Sequence, residues 1–153
     1  MMTHGKHFEE LHVGDRFVTA RRTITETDVI QFVTLVGFIE PLFLDLEYIE
    51  RESLFKRRIA PGSLVFAYSE GLVVQTGLIH GTGMAFVGLD KMALKLPTFV
   101  GDTIHVEGEV IGTHAGKRPD AGRVTWRHAV KNQKGESVMA LEVTRLMKKR
   151  GGA

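Results

Sequence analysis

The sequence predicts an α+β fold in which one strongly apolar helix lies on an antiparallel sheet. Three observations carry that expectation. From Met84 onward the chain divides into four long strand-like stretches separated by turn signals. Two helix signatures precede them, and the second of those helices is apolar around most of its circumference. With 153 residues, 43% hydrophobic and 25% charged, size and composition are those of one packed domain.

The elements follow in order. Arg16 to Thr23 reads as a first strand, introduced by the turn Val13-Gly14-Asp15. Thr25-Glu26-Thr27-Asp28 is a helix start, because a threonine oxygen can accept from exposed backbone N–H groups and an acid suits the position three residues on. Val29, Ile30, Phe32, Val33, Leu35 and Val36 continue that helix until Gly37 stops it. Residues 38–56, with Pro41 and mixed acidic and apolar side chains, are expected to form a loop with one helical turn. Pro61-Gly62-Ser63 opens the central helix, since the N–H that proline lacks has no partner in a first turn anyway. Leu64, Val65, Phe66, Ala67, Leu72, Val73 and Val74 make it apolar enough to be buried, with Tyr68, Ser69 and Glu70 as the exceptions. Met84–Leu96, Thr103–Thr113, Gly122–Asn132 and Glu136–Met147 are the later strands, and turn signals at Val100-Gly101-Asp102 and Asn132-Gln133-Lys134-Gly135 separate two of the pairs. Alternation places Val124, Trp126, His128 and Val130 on one face. One helix against such a sheet leaves apolar surface for a second subunit to cover.

Several function classes drop out. The chain has no cysteine, which excludes disulfides, thiolate metal sites and a cysteine nucleophile. Its seven histidines show none of the metalloprotease or zinc-finger spacings, so neither a metal nor another cofactor is expected. Net charge is only +2, and Lys148-Lys149-Arg150 reads as a solvated tail rather than a nucleic-acid patch. No apolar run approaches the roughly 20 residues of a membrane span. The N-terminal residues lack the apolar stretch of a signal peptide, and the expected location is cytoplasmic.

Several strings, in this order and spacing, carry a resemblance: Phe8-Glu9-Glu10-Leu11 with Val13-Gly14-Asp15, Thr23-Ile24-Thr25-Glu26-Thr27-Asp28, Arg58-Ile59-Ala60-Pro61-Gly62, Gly71-Leu72-Val73-Val74-Gln75-Thr76-Gly77 and Pro97-Thr98-Phe99-Val100-Gly101-Asp102-Thr103-Ile104. Together they resemble the MaoC-like acyl dehydratases, also called R-specific enoyl-CoA hydratases. The resemblance implies one hotdog domain over residues 1–153 with its core at about 8–147, a long central helix wrapped by an antiparallel sheet. It implies a homodimer or higher homo-oligomer paired through sheet edges. The implied ligand is an acyl thioester, on CoA or acyl carrier protein, in a tunnel at the dimer interface. The implied activity is that of a hydro-lyase of fatty acid metabolism.

The family's site loop runs close to Gly-Asp-x-Asn-Pro-x-His, whose Asp and His hold the water that adds across the double bond. Here the loop reads Gly37-Phe38-Ile39-Glu40-Pro41-Leu42-Phe43, with phenylalanine at both catalytic positions. Neither ring can move a proton, and such groups usually contribute about 10²–10⁴-fold to rate. The family's Arg-Ile-x-His-Gly becomes Arg58-Ile59-Ala60-Pro61-Gly62, and by resemblance the Gly62 N–H is the donor to the thioester carbonyl. Glu40, at the family's Asn position, reads either as a relocated base or as an exposed loop carboxylate. The expected site is therefore Glu40 and Gly62 as catalytic groups, with Phe38, Phe43, Pro61, Ser63 and Arg58 against the substrate. Asp45 is expected to order the loop, and His128 to be a core residue beside Trp126. Lys56, Arg57 and Arg58 read equally as contacts to CoA phosphates or as surface charge.

Three functions stand open on this reading. One is a hydratase or dehydratase homologue whose acid–base pair is degraded or relocated. Another is a non-catalytic acyl-thioester-binding protein, or an inactive partner subunit forming a hetero-oligomer with an active one. The third is a thioesterase using Glu70, which otherwise reads as a buried carboxylate needing a partner or as one emerging at the helix's exposed end.

Overall fold

The structure is a computed structural model and describes residues 4–151. Its elements, in chain order, are β1 (Arg16–Val18), β2 (Arg22–Thr23), α1 (Glu26–Val36), α2 (Pro41–Leu44), α3 (Leu46–Glu52), α4 (Gly62–Gln75), β3 (Gly83–Leu94), β4 (Thr103–His114), β5 (Ala121–Lys131) and β6 (Ser137–Lys148). The strands form one antiparallel sheet in the order β1-β4-β5-β6-β3, with β2 also paired to β4. The α+β expectation of a helix on an antiparallel sheet is borne out.

Two local expectations are corrected. The single first strand is two short ones, because the chain changes partner type at Thr19. There the backbone N–H still donates to Val106 O, but the Thr19 hydroxyl, not a carbonyl, accepts from Val106 N at 2.9 Å. Residues 38–56 hold two helices rather than one turn. Pro41 supplies the first residue of α2, and the Asp45 carboxylate caps α3 by accepting from Tyr48 N at 3.0 Å. The loop-ordering role expected of Asp45 thus has a specific form.

The core lies between α4 and the sheet. Leu64, Val65, Leu72 and Val73 are buried against Ile104, Val106, Val130, Met139, Leu141 and Val143, with Val29 and Val33 of α1 closing one side. Each such aliphatic side chain contributes on the order of 1.5–3 kcal/mol by leaving water. Alternation on the strands is as expected, with Val124, Trp126, His128 and Val130 all buried. A second cluster, around Leu11, Val110, Val124, Trp126 and Met147, lies under the N-terminal segment. The central helix is not buried all round in the single chain, however, since Val74 is 54% exposed.

The edge strand β3 differs from the others. It pairs only with β6, and all but one of its residues are exposed, including Met84, Phe86, Val87, Leu89, Met92 and Leu94.

Asp28 ties α1 to its surroundings. Thr25 and Asp28 form the reciprocal cap that the sequence suggests, and the same carboxylate accepts from the Tyr68 hydroxyl of α4 at 2.8 Å and from Arg22 of β2 at 3.2 Å. Burial alone would push its pKa up, but the Thr25 N–H, the Tyr68 hydroxyl and Arg22 together hold it below the ordinary value. Thr25→Ala is expected to cost about 1 kcal/mol of stability, and Asp28→Ala roughly 2 kcal/mol because it also removes the links to α4 and β2. Urea denaturation of the two variants checks this ranking, and equal losses would mean that the tertiary links contribute nothing.

Candidate functional site

An apolar cavity of about 330 Å³ opens where α4 begins. Phe43, Pro61, Gly62, Val65, Leu94 and Leu96 are among its walls, completed by Phe55 and the segment through Thr98. Among the described residues lining it, Lys95 is the sole ionisable side chain, so the cavity contains no carboxylate or imidazole.

The start of α4 explains the polar end of this cavity. Pro61 is the N-cap and provides no side-chain cap. The first internal bonds are donated by Leu64 and Val65 to Pro61 O, so the Gly62 and Ser63 N–H groups have no hydrogen-bond partner among the described residues. The helix dipole adds partial positive charge at the same place. Gly62 also allows a close approach. A methyl there would meet Leu94 Cδ1 at 2.5 Å, so any side chain at this position would push on the cavity wall.

The expected site residues divide into two groups. Phe43, Pro61 and Gly62 come together in the cavity. Phe38, Glu40, Ser63 and Arg58 are not among its walls. Phe38 is 43% exposed and stands edge-on to Phe32. Glu40 is exposed at the N-cap of α2 and its carboxylate accepts no hydrogen bond among the described residues. Ser63 is exposed on the first turn of α4. Arg58 is paired with Glu26 of α1 and is largely buried. Of its two cationic neighbours, Lys56 donates to Arg51 O, while the Arg57 guanidinium stacks on Phe99 at 4.1 Å. Leu94, Leu96 and Phe55 were not singled out by the sequence reading. The signal was the alternation Leu94–Leu96 at the end of a strand, which placed both on one face without saying what that face meets.

Glu70 lies elsewhere. Eight residues past Gly62, it is about 12 Å along the helix axis from the cavity's polar end. Its carboxylate pairs with Arg145 of β6, and its other oxygen lies 3.6 Å from Nδ1 of His128 on β5. Glu70 therefore has the partner that burial demands and does not simply emerge into solvent. His128 is 1% exposed, and neither ring nitrogen has a hydrogen-bond partner among the described residues. Burial disfavours the imidazolium, the Arg145 charge adds to that, and the pKa falls to about 4. Among the described residues, no group of three or more His, Asp or Glu is arranged to hold a metal ion, and no helix is long and apolar enough to cross a membrane.

Comparison with known proteins identifies the class. Residues 9–132 match the model of the MaoC like domain. The (R)-specific enoyl-CoA hydratase of Aeromonas caviae is 30% identical over 109 residues, covering 71% of this chain and 78% of that protein. Protein MaoC of Klebsiella aerogenes is 33% identical over 102 residues, covering 66% of this chain but only 29% of that longer protein. Among solved structures, the MaoC-like dehydratase from Rhodospirillum rubrum superposes with a TM-score of 0.86 at 32% identity, covering 95% of this chain and 99% of that one. A double-hotdog protein from Mycobacterium tuberculosis, 19% identical with a TM-score of 0.85 over all of this chain and 47% of its own, shares the fold. The chain belongs to the MaoC-like dehydratase family and has the hotdog fold.

The His128 environment has a consequence for stability. The folded chain keeps this imidazole neutral down to pH about 4, whereas an unfolded histidine takes up a proton near 6.5. Between those values the unfolded state binds more protons, so stability falls as pH drops through the window. The group's share of that loss is about 2 kcal/mol between pH 7 and pH 5. Urea denaturation at both pH values should show the loss in the natural chain and a smaller one in His128→Leu. An unchanged slope in that variant would assign the effect to other groups.

Proposed function

We propose that this chain binds an acyl thioester in the cavity at the start of α4, with the thioester carbonyl against the Gly62 N–H and the acyl chain against Phe43, Val65, Leu94 and Leu96. The observation that carries this reading is the meeting of the Gly62 N–H, unpartnered among the described residues, with an apolar cavity. Such groups suit a carbonyl on which negative charge develops, and an apolar lining suits a hydrocarbon chain. Membership of a family that includes an (R)-specific enoyl-CoA hydratase supports the same ligand class. With phenylalanine at 38 and 43 and no carboxylate or imidazole on the cavity walls, binding is the function the geometry supports best.

A second reading, hydration of an enoyl thioester with Glu40 as the base, has one observation in its favour. The Glu40 carboxylate is uncommitted and stands three residues before Phe43, which lines the cavity. Calorimetry and mass spectrometry with a panel of 2-enoyl-CoA thioesters separate the two. The expected outcome is binding without gain of water, weakened about tenfold in Gly62→Ala, where the added methyl displaces Leu94. Gain of one water that disappears in Glu40→Gln would establish the second reading. Absence of binding across the panel would defeat both.

We further propose that two copies pair along β3. The strand's free edge and its exposed Phe86, Val87, Leu89 and Met92 are what an isolated monomer would not tolerate well. Native mass spectrometry should give twice the 17.0 kDa chain mass, shifting towards the monomer in Leu89→Lys. A natural chain of single mass would refute the pairing.

A further inference from the structure

A second cavity, of about 420 Å³, adjoins the first and shares the wall formed by Leu96 and Pro97. Its character is different. Arg57 from the segment before α4 and Lys134 from the β5–β6 turn both line it, together with Asp102, Asn132, Gln133 and Glu136. The acidic and amide groups are largely committed. Asp102 is 8% exposed, with one oxygen accepting from Phe99 N and the other from Gln133 Nε2, each at 2.8 Å. Gln133 is held at its other end by Thr103 N, and Glu136 accepts from Asn132 Nδ2 at 3.1 Å.

The two cations are uncommitted. Neither Arg57 nor Lys134 has an ion pair or a side-chain hydrogen bond among the described residues, whereas Arg22, Arg58, Arg127, Lys131 and Arg145 are all paired. Stacking of the Arg57 guanidinium on Phe99 holds its plane while leaving its N–H edges free. That is a pre-positioned donor fork for an oxyanion. Lys95, on the first cavity's side of the shared wall, is a third cation without a partner there.

We propose that Arg57 and Lys134 bind phosphate on the carrier arm of the thioester, the pantetheine portion crossing the Leu96–Pro97 wall from the first cavity. This rests on the thioester reading of the first cavity. The shared chemistry is a phosphate ester at the end of an amide-bearing thiol arm, which both coenzyme A and a phosphopantetheine-bearing carrier protein present. Of the three basic residues adjacent in sequence, only Arg57 can serve, since Lys56 and Arg58 are held by Arg51 and Glu26.

The test uses one acyl chain on three carriers: pantetheine, 4′-phosphopantetheine and coenzyme A. Binding is measured by calorimetry at low and high salt, for the natural chain and for the double variant Arg57→Gln, Lys134→Gln. The phosphorylated thioesters should bind at least about tenfold more tightly than the acyl-pantetheine. That advantage should shrink with salt and vanish in the double variant, whose affinity for acyl-pantetheine stays unchanged. If acyl-phosphopantetheine matches acyl-CoA, the arm's own phosphate is read and a carrier protein would serve. If acyl-CoA is tighter still, the nucleotide phosphates are read as well. Equal binding of all three thioesters by the natural chain, or an advantage that survives in the double variant, overturns the phosphate site and leaves the thioester reading intact. The comparison of carriers in the natural chain decides the matter even if the double variant fails to fold. Failure of all three thioesters to bind overturns both readings.

Discussion

Burial of α4 against the sheet is the interaction on which the other features depend. Leu64, Val65, Leu72 and Val73 give the helix its anchoring face, and Ile104, Val106, Leu141 and Val143 receive it. Once that face is fixed, the position of the helix start is fixed with it. Pro61 ends the incoming segment without capping the helix, so the Gly62 N–H, unpartnered among the described residues, borders whatever space the neighbouring chain leaves. Here that space is walled by the end of β3 and by Phe43, and its lining is apolar. A polar terminus in an apolar cavity is thus a by-product of packing the helix.

The two phenylalanines of the loop after α1 have different surroundings. The loop keeps its proline and its helical turn, and Asp45 caps the helix that follows. Phe43 keeps its place on the cavity wall, where it packs against the main core. Phe38 turns outward towards Phe32. The loop after α1 therefore places one apolar ring on the cavity wall and the other outside it.

A different economy governs the far end of α4. Glu70, Arg145 and His128 form a polar cluster within an otherwise apolar interface, and His128 leaves both nitrogens without partners. Buried polar groups without hydrogen bonds are costly. The Arg145 guanidinium also lies 5.2 Å from the Phe86 ring of β3, so the cluster reaches from the helix to the exposed edge strand. It ties the central helix to a strand whose apolar side chains are exposed.

Much of this was already legible in the chain. The capping pair Thr25 and Asp28, the stop at Gly37, the proline start of α4 and the alternation of β5 each follow from interactions between residues close in sequence, so local pattern was enough to place them. The family strings, and the phenylalanines at 38 and 43, were equally visible there. What tertiary structure decided was which side chains meet. It set Leu94 against Gly62, paired Arg58 with Glu26 and left Arg57 free beside Lys134, a residue 77 positions further along the chain. It also matched Glu70 with Arg145 across 75 positions. Those outcomes depend on strand order and register, which bring distant segments to the same few ångströms, and no local periodicity encodes them.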